Sequence, residues 1–122
     1  MTDVVIIGGG PGGYEAALVA RQLGGDVTLI ETHGLGGSAV LTDVVPSKTL
    51  IAAAEVMTKI RGAEELGLEL RVTEARLADS VGVDLDRINT RIRALAQAQS
   101  DDILSRLTAE GVRVLTGTGR LH

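Results

Sequence analysis

The 122-residue chain contains no cysteine. It therefore offers no disulfide, no thiolate nucleophile and no cysteine-held metal. Aromatic side chains are almost missing, with Tyr14 the sole one. The core has to be built from Val, Leu, Ile and Ala, and there is no row of rings on which nucleobases could stack. An excess of positive charge is also lacking. Twelve Lys and Arg stand against 16 Asp and Glu, a net charge of −4, which argues against nucleic acid or an anionic membrane as partner. No apolar run approaches the ~18 residues of a membrane span. Met1-Thr2-Asp3 leads straight into an apolar stretch without the basic region or cleavage site of a secretory signal. A soluble, cytoplasmic chain with one core is expected. Of the two histidines, His33 has no carboxylate or cysteine at ligand spacing and His122 carries no inference, so no metal site is expected.

Glycine, by contrast, is plentiful, and its placement organises the chain. Val4-Val5-Ile6-Ile7 is an unbroken apolar run, followed at once by Gly8-Gly9-Gly10-Pro11-Gly12-Gly13. A helical pattern follows from Tyr14 to Leu23, then a second apolar run, Val27-Thr28-Leu29-Ile30, and then Glu31. This reads as strand, glycine turn, helix and parallel strand ending in an acid. Gly8, Gly10 and Gly13 fit G-x-G-x-x-G, and Glu31 lies 18 residues beyond Gly13, near the ~20 of a dinucleotide fold. Gly8 permits the turn out of the strand, where a side chain would clash. Gly10 lets the main chain approach a pyrophosphate, and Gly13 lets the helix pack on the sheet. The free N–H groups and partial positive charge of the helix start suit phosphate. Glu31 can accept ribose hydroxyls and would repel a 2′-phosphate, which favours an ADP moiety. No Gly-Lys-Ser/Thr closes the turn, so it is not a P-loop.

Ala16, Ala17, Val19, Ala20 and Leu23 mark the packed side of the first helix, which Gly24-Gly25 ends. Residues 32–45 read as loop, with Gly34, Gly36 and Gly37 in it. A second helix opens at Pro46-Ser47-Lys48, with Ser47 as its cap or Pro46 in its first turn. Leu50, Ile51, Ala54, Val56, Met57 and Ile60 form its apolar stripe, and Gly62 or Gly67 ends it. Leu68–Val72 alternates like a short edge strand, and 75–83 reads as surface loop. Asp84 or Asp86 caps a long third helix that Gly111 closes, with Leu85, Ile88, Ile92, Leu95, Leu104 and Leu107 near helical spacing. Its Arg87, Arg91 and Arg93 among Asp84, Asp86 and Asp101 read as a mixed-charge solvated face. Val112–Leu115 is the third strand, followed by Gly117-Thr118-Gly119. Tyr14 reads as a packing residue and His33 as solvated. The fold class is thus α/β, Rossmann-like, with a parallel three-strand core and flanking helices.

The stretch from Gly36-Gly37-Ser38 to Pro46-Ser47-Lys48 resembles the redox segment of the flavoprotein disulfide reductases, such as dihydrolipoamide dehydrogenase and glutathione reductase. In that family two glycines and a Ser/Thr precede a redox cysteine, a second cysteine stands five residues on, and Pro-Ser-Lys follows. Here the frame fits without a gap, but Ala39 and Val44 occupy the two cysteine positions. The resemblance extends over the opening turn with Tyr14-Glu15-Ala16-Ala17, Glu31, and Gly117-Thr118-Gly119. It implies that residues 1–122 are the N-terminal portion of a FAD-binding domain, without the NAD(P)H domain and the C-terminal dimerisation domain. The intact protein is then expected to be a homodimer.

The resemblance also implies roles. Gly8, Gly10, Pro11, Gly12 and Gly13 would cradle the FAD pyrophosphate, and Glu31 would hold the adenosine ribose. Gly36, Gly37 and Ser38 would line the phosphate and ribityl side, with Ala39 near the flavin. Lys48 would lie beside the isoalloxazine and stabilise its reduced form, and Gly119 would contact adenine through its main chain. Lys48 in the first turn of a helix opposes the dipole, which itself hints at a functional placement. Asp43, where the family has glycine, either solvates the loop or tunes the flavin potential. No residue of the chain is assigned a catalytic role. Dithiol exchange needs a thiolate and a sulfur leaving group, and Ala39 and Val44 supply neither. A branch of the family without complete redox cysteines acts as NAD(P)H:quinone reductase, and its loop is similar to Gly37-Ser38-Ala39-Val40-Leu41. The implied activity is hydride transfer from NAD(P)H to FAD and reduction of a small acceptor such as a quinone. Two other readings stand beside it: an NAD-binding dehydrogenase domain resting on Gly8–Glu31 alone, and a non-catalytic truncated remnant.

Overall fold

A computed structural model describes residues 2–68, 71–72, 75–76 and 81–121. In chain order the elements are β1 (Asp3–Ile7), α1 (Pro11–Gln22), β2 (Asp26–Glu31), α2 (Gly37–Leu41), α3 (Val44–Arg61), a 3-10 turn (Glu64–Leu66), β3 (Arg71–Val72), β4 (Ala75–Arg76), α4 (Leu85–Ala109) and β5 (Arg113–Thr116). The expected parallel three-strand core is present, in the order β1-β2-β5. Val4 pairs with Val27 and Ile6 with Leu29, while Leu29 pairs with Val114 and Glu31 with Thr116. The carboxyl ends Ile7, Glu31 and Thr116 therefore share one edge, where ligands bind in open α/β sheets.

One face of the sheet is dry. Val27 and Leu29 are buried with Ala17, Leu18, Leu35, Leu107 and Val112, and Val4, Ile6, Tyr14, Ile103 and Val114 pack against them. On the other face Val5, Ile7 and Leu115 remain 64%, 49% and 47% exposed. Alternation along a strand explains the split, because neighbouring side chains point to opposite faces.

Both long crossovers end alike. Gly24, at φ +85, donates to Arg21 O, and Gly25 donates to Ala20 O, each at 3.0 Å. Gly111, at φ +81, donates to Thr108 O at 3.0 Å, and Val112 donates to Leu107 O at 2.9 Å. Each is a Schellman turn that satisfies the last carbonyls and turns the chain into the next strand. Arg21 ties the two turns together, its Nε donating to Glu110 O at 3.0 Å and its Nη1 to Gly25 O at 2.9 Å.

Several expectations need correction. On α1 the buried residues are Ala17 and Leu18, with Tyr14 packed beside them. Val19 and Leu23, assigned to the packed side, are 52% and 84% exposed. On α4 the inward stripe is Ala96, Ser100, Ile103 and Leu107, whereas Leu95 and Leu104 face out. Small residues are needed there because the loop after β2 packs close: a Cβ on Gly34 would lie 3.4 Å from Ser100 Oγ. The loop at 32–45 contains α2, and α3 opens at Val44, two residues before Pro46. Pro46 stands in its first turn, where an N–H has no acceptor in any case. Ser47 is not the cap; its hydroxyl donates to Val44 O at 3.2 Å. Gly62 caps α3, and Gly67 ends the following 3-10 turn at φ +77. The strand read at 68–72 is not an edge of the main sheet. Arg71–Val72 pairs antiparallel with Ala75–Arg76 in a separate small sheet, so part of the stretch assigned to surface loop is strand. Residues 69–70 and 77–80 of those assignments lie outside the described residues. Asp84 is the cap of α4, accepting Arg87 N–H at 2.9 Å.

Candidate functional site

The glycine turn sits where β1 meets α1. Gly8 leaves the strand at φ +100, in the left-handed region, and a Cβ there would meet nothing within 4 Å. Glycine is needed at this position for its backbone, not to avoid the clash that was expected. The clash belongs to Gly13, whose Cβ would stand 1.9 Å from Gly8 O. Its absence lets α1 begin directly against the end of the strand. Gly10 is the N-cap and Pro11 the first helical residue, a position for which its fixed φ is suited. The space beside Gly10 and Gly12 is open to 4 Å, and no acid stands in the first turn. The free N–H groups there meet no carboxylate from the helix's own first turn.

Glu31 ends β2 at the same edge. Its Oε2 accepts Gly9 N–H at 2.6 Å, and its Oε1 accepts Thr32 N–H at 2.7 Å and His33 N–H at 2.8 Å. Burial alone would raise its pKa, but hydrogen bonds from the His33, Gly9, Thr32 and Gly34 amides outweigh it and hold the carboxyl below its ordinary value of 4.5.

The second glycine segment touches the first. Gly36, at φ +93, donates its N–H to Gly9 O at 2.8 Å. A Cβ on Gly37 would stand 3.0 Å from Gly10 Cα. Ser38 is exposed and Ala39 half-buried on α2. The chain after β5 crosses the same edge: Gly117 donates to Glu31 O at 2.9 Å, and Thr32 Oγ1 donates to Gly117 O at 2.9 Å. Gly119 reaches β1, where a Cβ would stand 2.9 Å from Ile7 Cγ1. A cavity of about 210 Å³ is lined by Glu31 together with His33, Gln97, Ser100, Asp101 and Thr116 among others.

Direct contacts thus join the Gly8–Gly13 turn, Glu31, Gly36, Gly37 and Gly117, while Gly119 lies against Ile7 at the end of β1. Lys48 is exposed on α3. Because α3 opens at Val44, Lys48 stands in the second turn, so the first-turn dipole argument for it does not hold. Asp43 is exposed and makes no side-chain cap on α3. His33 is exposed as well, and the described residues hold no cluster of three or more His, Asp or Glu able to take a metal. No helix among them is long and apolar enough to cross a membrane. Gly9 went unmarked in the sequence reading, which treated it as a free position of the pattern. It is buried, bonded through both backbone groups, and a Cβ on it would stand 2.6 Å from Leu35 Cδ2. The signal available was a third consecutive glycine where the pattern asks for only two of the three.

The family model for pyridine nucleotide-disulphide oxidoreductase matches residues 2–121. The chain is 44% identical over 124 residues to an NAD(P)H dehydrogenase (quinone) of Mycobacterium tuberculosis, covering 99% of this chain and 24% of that protein. It is 35% identical to a dihydrolipoyl dehydrogenase of Zymomonas mobilis, with 98% and 24% covered. The crystal structure of LpdA from Mycobacterium tuberculosis superposes with a TM-score of 0.85 at 43% identity, over 100% of this chain and 25% of that one. The chain spans about a quarter of the length of the relatives it matches. It belongs to the pyridine nucleotide-disulphide oxidoreductase family, with the parallel sheet and flanking helices of that family's N-terminal Rossmann-like domain.

Proposed function

We propose that residues 1–122 are the N-terminal portion of the FAD-binding domain of an NAD(P)H-dependent flavoprotein oxidoreductase. In this reading the protein reduces a small acceptor, a quinone by preference, without a redox disulfide. The observation that carries the proposal is one cluster at the carboxyl edge of the sheet: a glycine turn at a helix start that is open beside Gly10 and Gly12, with an ionised Glu31 bonded to Gly9.

The residues present fit the dinucleotide. Gly10 and Gly12 leave room for the pyrophosphate, and Gly10, Gly12 and Gly13 offer it backbone N–H groups, while Pro11 opens the helix without a donor of its own. Glu31 presents a carboxylate to ribose hydroxyls; Gly36 and Gly37, which touch Gly9 and Gly10, and Ser38 after them would line the phosphate and ribityl side. Ala39 and Lys48 would stand nearer the flavin, and Gly119 nearer the adenine. The bound flavin supplies hydride acceptance and electron release. The chain's part is to bind and orient it and, through Ala39 and Val44, to present no sulfur for a dithiol relay. The quinone preference draws on the relative named NAD(P)H dehydrogenase (quinone), and a homodimer is the expected form of the whole protein.

The test uses the full-length protein. It should purify yellow, bleach with NADH or NADPH, regain colour with a quinone, and leave lipoamide untouched. A colourless protein that cannot be reconstituted with FAD would refute the reading. Preference for NAD over FAD would favour an ordinary dehydrogenase domain, and binding neither would favour a remnant.

A further inference from the structure

The turn Gly8–Gly10 has no side chains to pack, and its ordering costs more backbone entropy than that of any other residue type. Three tertiary hydrogen bonds hold it. Gly8 N–H donates to Ile30 O at 2.8 Å, and Gly36 N–H donates to Gly9 O at 2.8 Å. Gly9 N–H donates to Glu31 Oε2 at 2.6 Å. Only the last has a side-chain partner, and it is also the shortest, as a bond to an ionised acceptor tends to be. The same carboxylate gathers the Thr32 and His33 amides on Oε1. One side chain therefore locks the end of β1 to the loop that leaves β2.

We infer that Glu31 is a positioning residue for the phosphate-binding turn: its carboxylate straps Gly9 to the end of β2 before any dinucleotide arrives, a role separate from contact with the ribose. The inference rests on the dinucleotide reading of the turn. A carboxylate has about four acceptor sites. Thr32 and His33 donate to Oε1 and Gly9 to Oε2, which leaves Oε2 able to take a hydroxyl as well, so strap and ribose contact are compatible. A glutamine cannot replace it. Its NH2 group must face either the Gly9 N–H or the Thr32 and His33 pair, donor against donor.

The experiment uses flavin-stripped full-length protein, wild type and Glu31→Gln. Each is titrated with FAD and with a FAD analogue lacking the 2′- and 3′-hydroxyls of the adenosine ribose. A residue that acted only on the ribose would leave the analogue bound equally by both proteins, and that result overturns the inference. The strap predicts that Glu31→Gln binds the analogue at least about tenfold more weakly, the scale of one charged hydrogen bond. A second measurement needs no variant. In the flavin-free wild type the Gly9 amide should be protected from hydrogen exchange at neutral pH. That protection should fall on acidification while the Gly8 amide, bonded to a carbonyl, keeps its own. Gly9 exchanging freely at neutral pH overturns the inference. If neither flavin binds, the dinucleotide reading fails, and the exchange of Gly9 still decides the strap.

Discussion

Gly12 and Gly13 are adjacent in the first turn of α1, yet alanine at the two positions should act in opposite directions. At Gly13 the new Cβ would sit 1.9 Å from the carbonyl oxygen of Gly8 and 3.0 Å from its carbon. The obstacle is backbone, so it cannot swing aside as a side-chain end would. The start of α1 must withdraw from β1 by roughly 1 Å, which loosens Ala17 and Leu18, both buried on the sheet. Overpacking of this kind costs about 1–3 kcal/mol, and a backbone obstacle argues for the upper end. The helix preference of alanine over glycine returns up to about 1 kcal/mol, leaving a net loss near 2 kcal/mol. At Gly12 a Cβ meets nothing within 4 Å, so only the propensity gain remains, and the substitution should be neutral to stabilising. For binding the order reverses: Gly12→Ala keeps the fold but places a methyl at the proposed phosphate site. Hydrogen exchange of the Ala17 and Leu18 amides in the full-length protein reads local opening of α1. It should quicken about 30-fold in Gly13→Ala and stay unchanged or slow in Gly12→Ala, as 1.4 kcal/mol per factor of ten requires. Equal protection in the two variants would refute the reasoning.

Other consequences follow from the same contacts. Arg21→Ala removes the donors that reach Glu110 O and Gly25 O and should cost about 1–3 kcal/mol, measured by denaturation. Arg21→Lys should recover only part of it, because lysine lacks the fork that serves both turns. The lowered pKa of Glu31 means that the folded state binds its proton less tightly than the unfolded chain. The stability it contributes is therefore present above the ordinary value of 4.5 and is lost as pH falls through the lower folded value. A carboxyl titration by NMR should place its midpoint below 4.5, and a midpoint above it would contradict the hydrogen-bond account. Produced alone, residues 1–122 should self-associate and bind hydrophobic dyes through Val5, Ile7 and Leu115. Lysine at Val5 should reduce both.

The sequence made the sheet and the glycine turn legible because their signals are local. Val4–Ile7 and Val27–Ile30 are short apolar runs bounded by glycine, and Gly24 and Gly111 fall where Schellman turns need a left-handed residue. Other features depend on tertiary neighbours and were misread. Ala17 falls on the packed side as expected, but counting apolar residues also put Val19, Leu23, Leu95 and Leu104 inside, whereas α4 approaches the loop through Ala96 and Ser100. Hydrophobicity does not report where small size is required. The start of α3 was placed by its proline, though Val44 and Val45 already join the first turn. Gly9 was overlooked because its constraint comes from Leu35 and Glu31, more than 20 residues away. The links from Gly117 to Glu31 and from Gly119 to Ile7 are likewise invisible to any local pattern.

The most direct test is a structure of the full-length protein grown with FAD. The account predicts the two phosphates within hydrogen-bonding distance of the N–H groups of Gly10, Gly12 and Gly13, with the Glu31 carboxylate on an adenosine ribose hydroxyl and still bonded to Gly9. Dinucleotide density away from the start of α1, or Glu31 turned from both ribose and turn, would contradict it.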